Sequence, residues 1–309
     1  MHFDLTDLRL FIHIAESPSL TQGARKTFIS PAAASARIKA LEKNLQAQLL
    51  YRDSQGIALT DAGKRLLVHA RAIIGQAESL KSEFTSYGKD LTGHVRIFAN
   101  TTACTEFLPE ILSRYLAGNP GVTIDLQERG SQEIYRGIAD GAADLGVTSG
   151  PELDKRLTII PFANDRLLLA VPARHPLLKE RRISLEQSLK YPHVGLHDSS
   201  SLLSFLRSQL ILIGRQLPLR IQVSNFEAAC RMIEAGVGIG VIPESAAKRY
   251  SRSMELHFVI LTDHWAVRQR QVLVRDLSAS PGYVRSLAEA IVNQGDLHQL
   301  PMAPESQPE

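Results

Sequence analysis

The residues best equipped for chemistry lie between Leu20 and Arg65, and the chemistry is neutralisation of phosphate. That stretch holds eight basic residues (Arg25, Lys26, Arg37, Lys39, Lys43, Arg52, Lys64, Arg65) against three acidic ones, a net +5, whereas the whole 309-residue chain is only +3. Cations concentrated in this way can displace the counterions of a nucleic-acid backbone. The small residues Pro31, Ala32, Ala33 and Ser35 precede them and let a helix end approach a groove closely. A solvated basic helix pair that binds nothing is the competing reading. Caps, small residues and cations together favour double-stranded DNA.

The local code says which elements hold these groups. Ser19 with Gln22 predicts a capping box, and Ser30 before Pro31 predicts a second helix start, since proline needs no N–H at a first helical position. The first helix therefore has room only for Leu20 to Phe28. In the second, Ala34, Ile38, Leu41 and Leu45 form one apolar stripe, leaving Arg37, Lys39 and Lys43 on the other face. A short helix, a turn and a longer helix make a helix-turn-helix, preceded by a helix over Leu5 to Ala15. Gln48–Arg52 and Gly56–Leu59 flank hairpin-turn residues and predict a wing that carries Arg52 toward a sugar-phosphate edge. The expected DNA-contacting set is Ser30, Pro31, Ala32, Ala33, Ser35, Arg37, Lys39, Lys43 and Arg52, with Ser35 and Arg37 near base edges and the other cations mainly on phosphates.

These residues resemble the winged helix-turn-helix of LysR-type transcriptional regulators. The resemblance runs through Leu8-Arg9-Leu10-Phe11, Ala15-Glu16, Ser19-Leu20-Thr21, Ala24, Ile29-Ser30, Ser35, Ile38-Lys39-Ala40-Leu41-Glu42, Leu45, Leu49-Leu50-Tyr51-Arg52 and Leu59-Thr60-Asp61-Ala62-Gly63. Two positions depart from the family pattern. Pro31-Ala32 stands where Gln-Pro is usual, and Ala36-Arg37 where Arg-Gln is usual. The resemblance implies DNA binding and a linker helix that pairs two chains.

Beyond Thr60 a long helix is expected to about Tyr87. Its apolar residues Leu66, Ala70, Ile73, Ala77, Leu80, Phe84 and Tyr87 alternate spacings of four and three, which is a heptad seam. A dimerisation helix fits this pattern better than a core helix, whose stripe would drift. After a hinge at Lys89 to His94 the pattern changes. Strands at Val95–Ala99, Val122–Leu126 and Leu145–Val147 alternate with helices, then a crossing strand from Arg166 leads to a second such unit. A return near Val267 to Val274 and a helix over Val284 to Asn293 complete the chain. The expected fold is a winged helix-turn-helix (1–60), a dimerisation helix (61–88) and a two-lobed α/β effector domain (89–300), with a disordered tail over 301–309. Lobe 1 would comprise about 94–163 and 267–297, and lobe 2 about 165–266. This layout is similar to the effector domain of the LysR family and to periplasmic binding proteins, through Leu108-Pro109, Asp140-Gly141 with Asp144-Leu145, and Glu234 to Pro243.

Four strand-to-helix corners would face the cleft, each offering hydroxyl or amide groups beside free backbone N–H groups. They are Thr101-Thr102, Gly130-Ser131, Ser199-Ser200-Ser201 and Asn225-Phe226. Plain N-capping explains any one of them. Four around one cleft point to a small anionic effector, and in the family the matching loops line the pocket.

Other motifs carry less. Gly236-Val237-Gly238-Ile239-Gly240 closes a helix and opens a strand, the reverse of a dinucleotide loop. Cys104 and Cys230 are too few and too distant for a zinc site or disulfide scaffold and read as small buried hydrophobes. His193 and His197 have Pro192 and Gly195 about them, which spoils a metal-binding helix face. No nucleophile elbow, Walker loop or His-Glu-x-x-His occurs, so neither an enzyme nor a cofactor is expected. Met1 to Glu16 is charged and no apolar run suits a membrane helix, so the expected compartment is the cytoplasm. The expected function is a DNA-binding regulator governed by a small anionic metabolite, acting as a homodimer or homotetramer. The competing class is a solute-binding protein, against which the basic helices and the missing signal peptide argue.

Overall fold

The structure is a computed structural model that describes residues 3–53, 56–85, 91–150 and 154–295. Tyr87 of the expected seam, the hinge at Lys89, the tail over 301–309 and the side chain of Arg52 lie outside the described residues.

Three helices and a hairpin make the N-terminal head. Helix α1 (Leu5–Ala15) starts in a full capping box between Asp4 and Asp7. Helix α2 (Leu20–Lys26) is capped by Ser19, whose hydroxyl accepts the Gln22 N–H at 3.3 Å. The expected reciprocal bond from the Gln22 side chain is not among those formed there. Helix α3 (Pro31–Leu45) begins with the Ser30 hydroxyl accepting the Ala33 N–H and ends on Gln46 in the left-handed region. Gly23 lets α2 press on α1, because a Cβ there would lie 2.6 Å from Ile14. Leu10, Phe11, Ile14, Ala24, Ala34, Ile38 and Leu41 form the core of the head. Strands β1 (Leu50–Asp53) and β2 (Gly56–Leu59) pair antiparallel as the wing. The Glu42 carboxylate accepts the N–H groups of Leu49 and Leu50, clipping the wing to α3.

Helix α4 (Asp61–Thr85) follows, its first turn closed by the Thr60 hydroxyl accepting the Gly63 N–H. Its apolar seam divides. Leu66 and Ala70 pack with Ile74 against Leu8 and Ile12 of α1, so they belong to the chain's own core rather than to a dimer seam. Ile73, Leu80 and Phe84 stay exposed, the last two at 58% and 71%. The heptad spacing is real, but α1 occupies its N-terminal half.

The rest of the chain is two α/β lobes sharing one continuous sheet. Lobe 1 contains β3 (Gly93–Ala99), α5 (Leu108–Gly118), β4 (Val122–Glu128), α6 (Ser131–Ala139) and β5 (Leu145–Ser149). Strand β6 (Thr158–Pro172) then crosses into lobe 2, which adds β7 (Arg182–Ile183), α7 (Leu185–Ser188), β8 (His193–Leu196), α8 (Ser201–Ile211) and β9 (Leu219–Val223). Next come α9 (Phe226–Glu234), β10 (Gly240–Pro243), α10 (Glu244–Tyr250) and β11 (Leu256–Leu261), then β12 (Val267–Val274) and α11 (Gly282–Gly295) back in lobe 1. The sheet order is β4-β3-β5-β12-β6-β11-β7, with β10 also on β6, while β8 and β9 pair as a separate two-stranded sheet. The first half of β6 pairs with β12 in lobe 1 and the second half with β10 and β11 in lobe 2, so two adjacent strands join the lobes. Parallel pairing of β3 with β4 and β5 is what the alternating pattern predicts.

Several bounds differ from expectation. The crossing strand starts at Thr158 rather than near Arg166, because Pro161 and a register shift at Arg270/Gln271 interrupt its apolar run without ending the pairing. Four elements, β7, α7, α10 and β11, lie where none was expected. The helix expected from Phe107 is preceded by a π-helical segment over Ala103–Phe107, and the residue that caps it is Asn100, whose carboxamide accepts the Ala103 N–H at 2.8 Å. The glycine run ends α9: Gly236 has φ +74, and a Cβ on Gly238 would lie 2.5 Å from the Pro192 carbonyl.

Candidate nucleic-acid interface and effector cleft

On α3, Ala34, Ile38 and Leu41 are buried, while Pro31, Ala32, Ala33, Lys39 and Lys43 are exposed. The small residues and the two lysines thus form one free surface led by the Ser30 cap, as a groove-entering helix needs. Arg37 does not share it. Its guanidinium turns to α1 and binds the Asp7 carboxylate at 2.6 Å, with Asp4 at 3.6 Å. Asp7's hydrogen bond and charge raise its pKa. The expected base reader is therefore a tie between α1 and α3, since the capping box of α1 sets two carboxylates opposite it. Ser35 is half-buried beside it.

Between the lobes, three of the four expected corners meet. At the carboxyl end of β4, Glu128 accepts a hydrogen bond from the Thr101 hydroxyl at 2.6 Å, and His197 of lobe 2 approaches the same carboxylate at 3.7 Å. His197 Nδ1 lies 2.7 Å from the Ser199 hydroxyl, and Gly130 faces the Ser199 carbonyl from the other lobe. Ser131 and Thr148 hydroxyls are 3.3 Å apart, and Tyr135 donates to Gln271 at 3.3 Å. Thr102 is buried in the first turn of its helix. Ser200 and Ser201, at the start of α8, are buried with hydroxyls that have no hydrogen-bond partner.

The fourth corner does not join them. Asn225 caps α9 by accepting the Ala228 N–H, and its carboxamide nitrogen turns to the adjacent Ser224 hydroxyl at 3.4 Å. Phe226 is 1% exposed and lies in the core of lobe 2 with Ala229, Cys230 and Ile233, so it cannot line the cleft. An aromatic residue at a first helical position reads equally well as a pocket wall or as a core anchor, and here packing decides.

Sequence reasoning missed the strongest charges. Arg268, on β12, donates to the Ser149 carbonyl at the end of β5 and stacks 4.2 Å from the Phe205 ring of α8, which Trp265 backs edge-on. Its Nε is buried and unpartnered, and desolvation lowers its pKa to about 10. Two residues on, Arg270 pairs with Asp165 at 3.0 Å across β12 and β6, and lies over the Phe107 ring. Arg249 of α10 reaches Glu106 of lobe 1 at 3.2 Å, and burial raises the pKa of that carboxyl. The available signal was two arginines alternating in a strand that otherwise becomes wholly apolar.

The remaining candidates are structural. His193 is buried between the Ser188 hydroxyl and the Tyr191 carbonyl, and desolvation holds its pKa down at about 4. Burial pushes both thiols up to about 12, so neither Cys104 nor Cys230 is thiolate at neutral pH. Among the described residues no cluster of three His, Cys, Asp or Glu could hold a metal, and no helix is long and apolar enough to cross a membrane.

A head bearing an exposed helix start, joined by a long helix to two lobes around a polar cleft, defines a ligand-responsive DNA-binding regulator. The chain belongs to the LysR family of transcriptional regulators. The family's helix-turn-helix model matches residues 5–64 and its LysR substrate binding domain matches 88–296. The HTH-type transcriptional regulator IlvY of Escherichia coli K12 is 30% identical over 78% of this chain and 82% of its own length. A probable RuBisCO transcriptional regulator of Emiliania huxleyi is 28% identical over 94% and 92%. In fold, the chain is similar to a full-length OxyR variant of Pseudomonas aeruginosa (TM-score 0.74, 18% identity, 94% and 98% coverage). It is also similar to CbnR complexed with its target DNA (TM-score 0.61, 20% identity, 95% and 100% coverage).

Proposed function

We propose that this regulator binds a small anion between its lobes, with the anionic group at Arg268 and the rest of the molecule reaching toward Glu128. Arg268 carries the reading. A largely desolvated guanidinium with a free Nε is stabilised by an anion, and the hydroxyls of Ser200, Ser201, Ser131 and Thr148 can complete the shell. The Thr101 corner is a poor place for the anion because Glu128 already stands there. That end suits a hydroxyl or amine. Binding would draw the lobes together and shift the population of dimer geometries, rather than touch DNA directly.

On the DNA side, the surface of Ser30, Pro31, Ala32, Ala33, Lys39 and Lys43 enters the major groove, with Ser35 at its edge and Arg52 on the wing. Two chains pair through Ile73, Ala77, Leu80 and Phe84. A chain with these parts works in the cytoplasm and carries out no catalysis of its own.

The test is a thermal-shift and calorimetric screen of the full chain against mono- and dicarboxylates and phosphate esters. At least one should raise the melting temperature, and Arg268→Gln should weaken it by about ten-fold or more, the value of a charge-assisted hydrogen bond. If none binds, or if Arg268→Gln binds the same anion equally well, the reading is wrong.

A further inference from the structure

Phe28 occupies the turn between α2 and α3 with φ +59, the left-handed region, and is 95% exposed. Either feature is unfavourable for phenylalanine. The left-handed conformation strains a residue that carries a Cβ, and a fully exposed ring gains nothing from burial. Glycine or asparagine would close the same turn with less strain. The turn's own bonds, from the Phe28 and Ile29 N–H groups to the Arg25 and Ala24 carbonyls, use backbone only. Among the described residues nothing needs the ring.

Its position is informative. Phe28 stands two residues before the Ser30 cap, and thus beside the leading end of the helix assigned to the groove. Arg25 and Lys26, also exposed, precede it in the last turn of α2 and can hold phosphates on that side. An apolar ring projecting from a basic surface beside a groove-entering helix finds its apolar match in the major groove, the C5-methyl group of thymine. We propose that Phe28 is a specificity-determining contact that packs on a thymine methyl at the edge of each half-site. This rests on the DNA-binding surface proposed above.

The probe is the duplex that the wild-type full chain selects from a randomised library, with each thymine replaced in turn by deoxyuridine. For wild type, one deoxyuridine per half-site should weaken binding about four-fold, the factor for one methyl group returned to water. Phe28→Asn should melt higher than wild type, bind the parent duplex about four-fold more weakly, and ignore that replacement. Its salt dependence should match that of wild type, because no charge has changed. A Phe28→Asn chain that binds with unchanged affinity, or that keeps the wild-type deoxyuridine profile, overturns the proposal. So does a loss of affinity that accompanies a change in oligomeric mass, which would make the ring a protein contact. Should the wild-type chain select no duplex, the DNA-binding surface itself fails, which is a different outcome.

Discussion

The head and the cleft both carry cations, yet they are built in opposite ways. On the head, Lys39 and Lys43 stand exposed on one helix, and every candidate from Ser30 to Lys43 comes from a single run of chain. In the cleft, Arg268 is stacked on Phe205 and meets Ser149, so one charge depends on three distant segments. An exposed lysine remains hydrated and suits any phosphate, with a contribution that salt screens. A desolvated arginine has lost its water, so its partner must replace that water in one geometry. The first arrangement supplies general affinity. The second is suited to discrimination.

The contrast can be broken most severely at the crossing strands. Asp165→Asn leaves Arg270 buried without its counter-ion, both side chains now being under 10% exposed, and should cost about 3–5 kcal/mol in denaturant unfolding of the lobes. Asp165→Leu with Arg270→Met should recover most of that loss. If the single substitution costs no more than a surface pair, the lobes do not depend on their joint as described.

The divided seam on α4 gives the next largest effect. Leu66→Asp puts a charge into the contact with α1 and should unfold the head, whereas Leu80→Asp should leave the melting temperature near that of wild type and shift sedimentation from dimer to monomer. Equal behaviour of the two variants would restore one continuous seam.

Acid separates the regions too. His193 has a folded pKa of about 4 against 6.5 unfolded, so the unfolded chain binds the extra proton between those values. Stability is therefore full above pH 6.5 and falls on acidification by up to roughly 1.4 kcal/mol per pH unit, levelling near pH 4. A His193→Gln chain should lose that slope in lobe 2, while the head's unfolding should not change with it.

Smallest are the effects on the head's surface. Lys39→Ala should weaken binding to all duplexes and flatten the plot of log affinity against log salt by about 0.9, one phosphate contact. Arg37→Ala should cost about 1 kcal/mol of stability, since the pair with Asp7 is only half-buried, and leave site choice unchanged. A changed site preference for Arg37→Ala in a selection experiment would mean that Arg37 leaves Asp7 to reach the bases.

What could be read in advance follows the same division. Helix starts at Ser30 and Ser131, the wing and the alternation of strands and helices are local signals, and the structure reproduces them. Arg37 could not be placed, because its direction depends on carboxylates thirty residues earlier. Leu66 and Ala70 fit a dimer seam and an intrachain contact equally, until α1 is set beside them. Phe226 and Arg268 show the same limit: an apolar residue at a helix start and a cation in a strand take their roles from lobes that other segments complete.

Under the proposed function, an anion held at Arg268 controls what the head does. The direct measurement is the DNA affinity of the full chain with and without the anion that stabilises it, at one salt concentration, for wild type and Arg268→Gln. The expected result is a clear shift in wild-type affinity on adding the anion, equal affinities of the two chains without it, and no shift in the variant. An unmoved wild type, or a shift of the same size in Arg268→Gln, would contradict the claim.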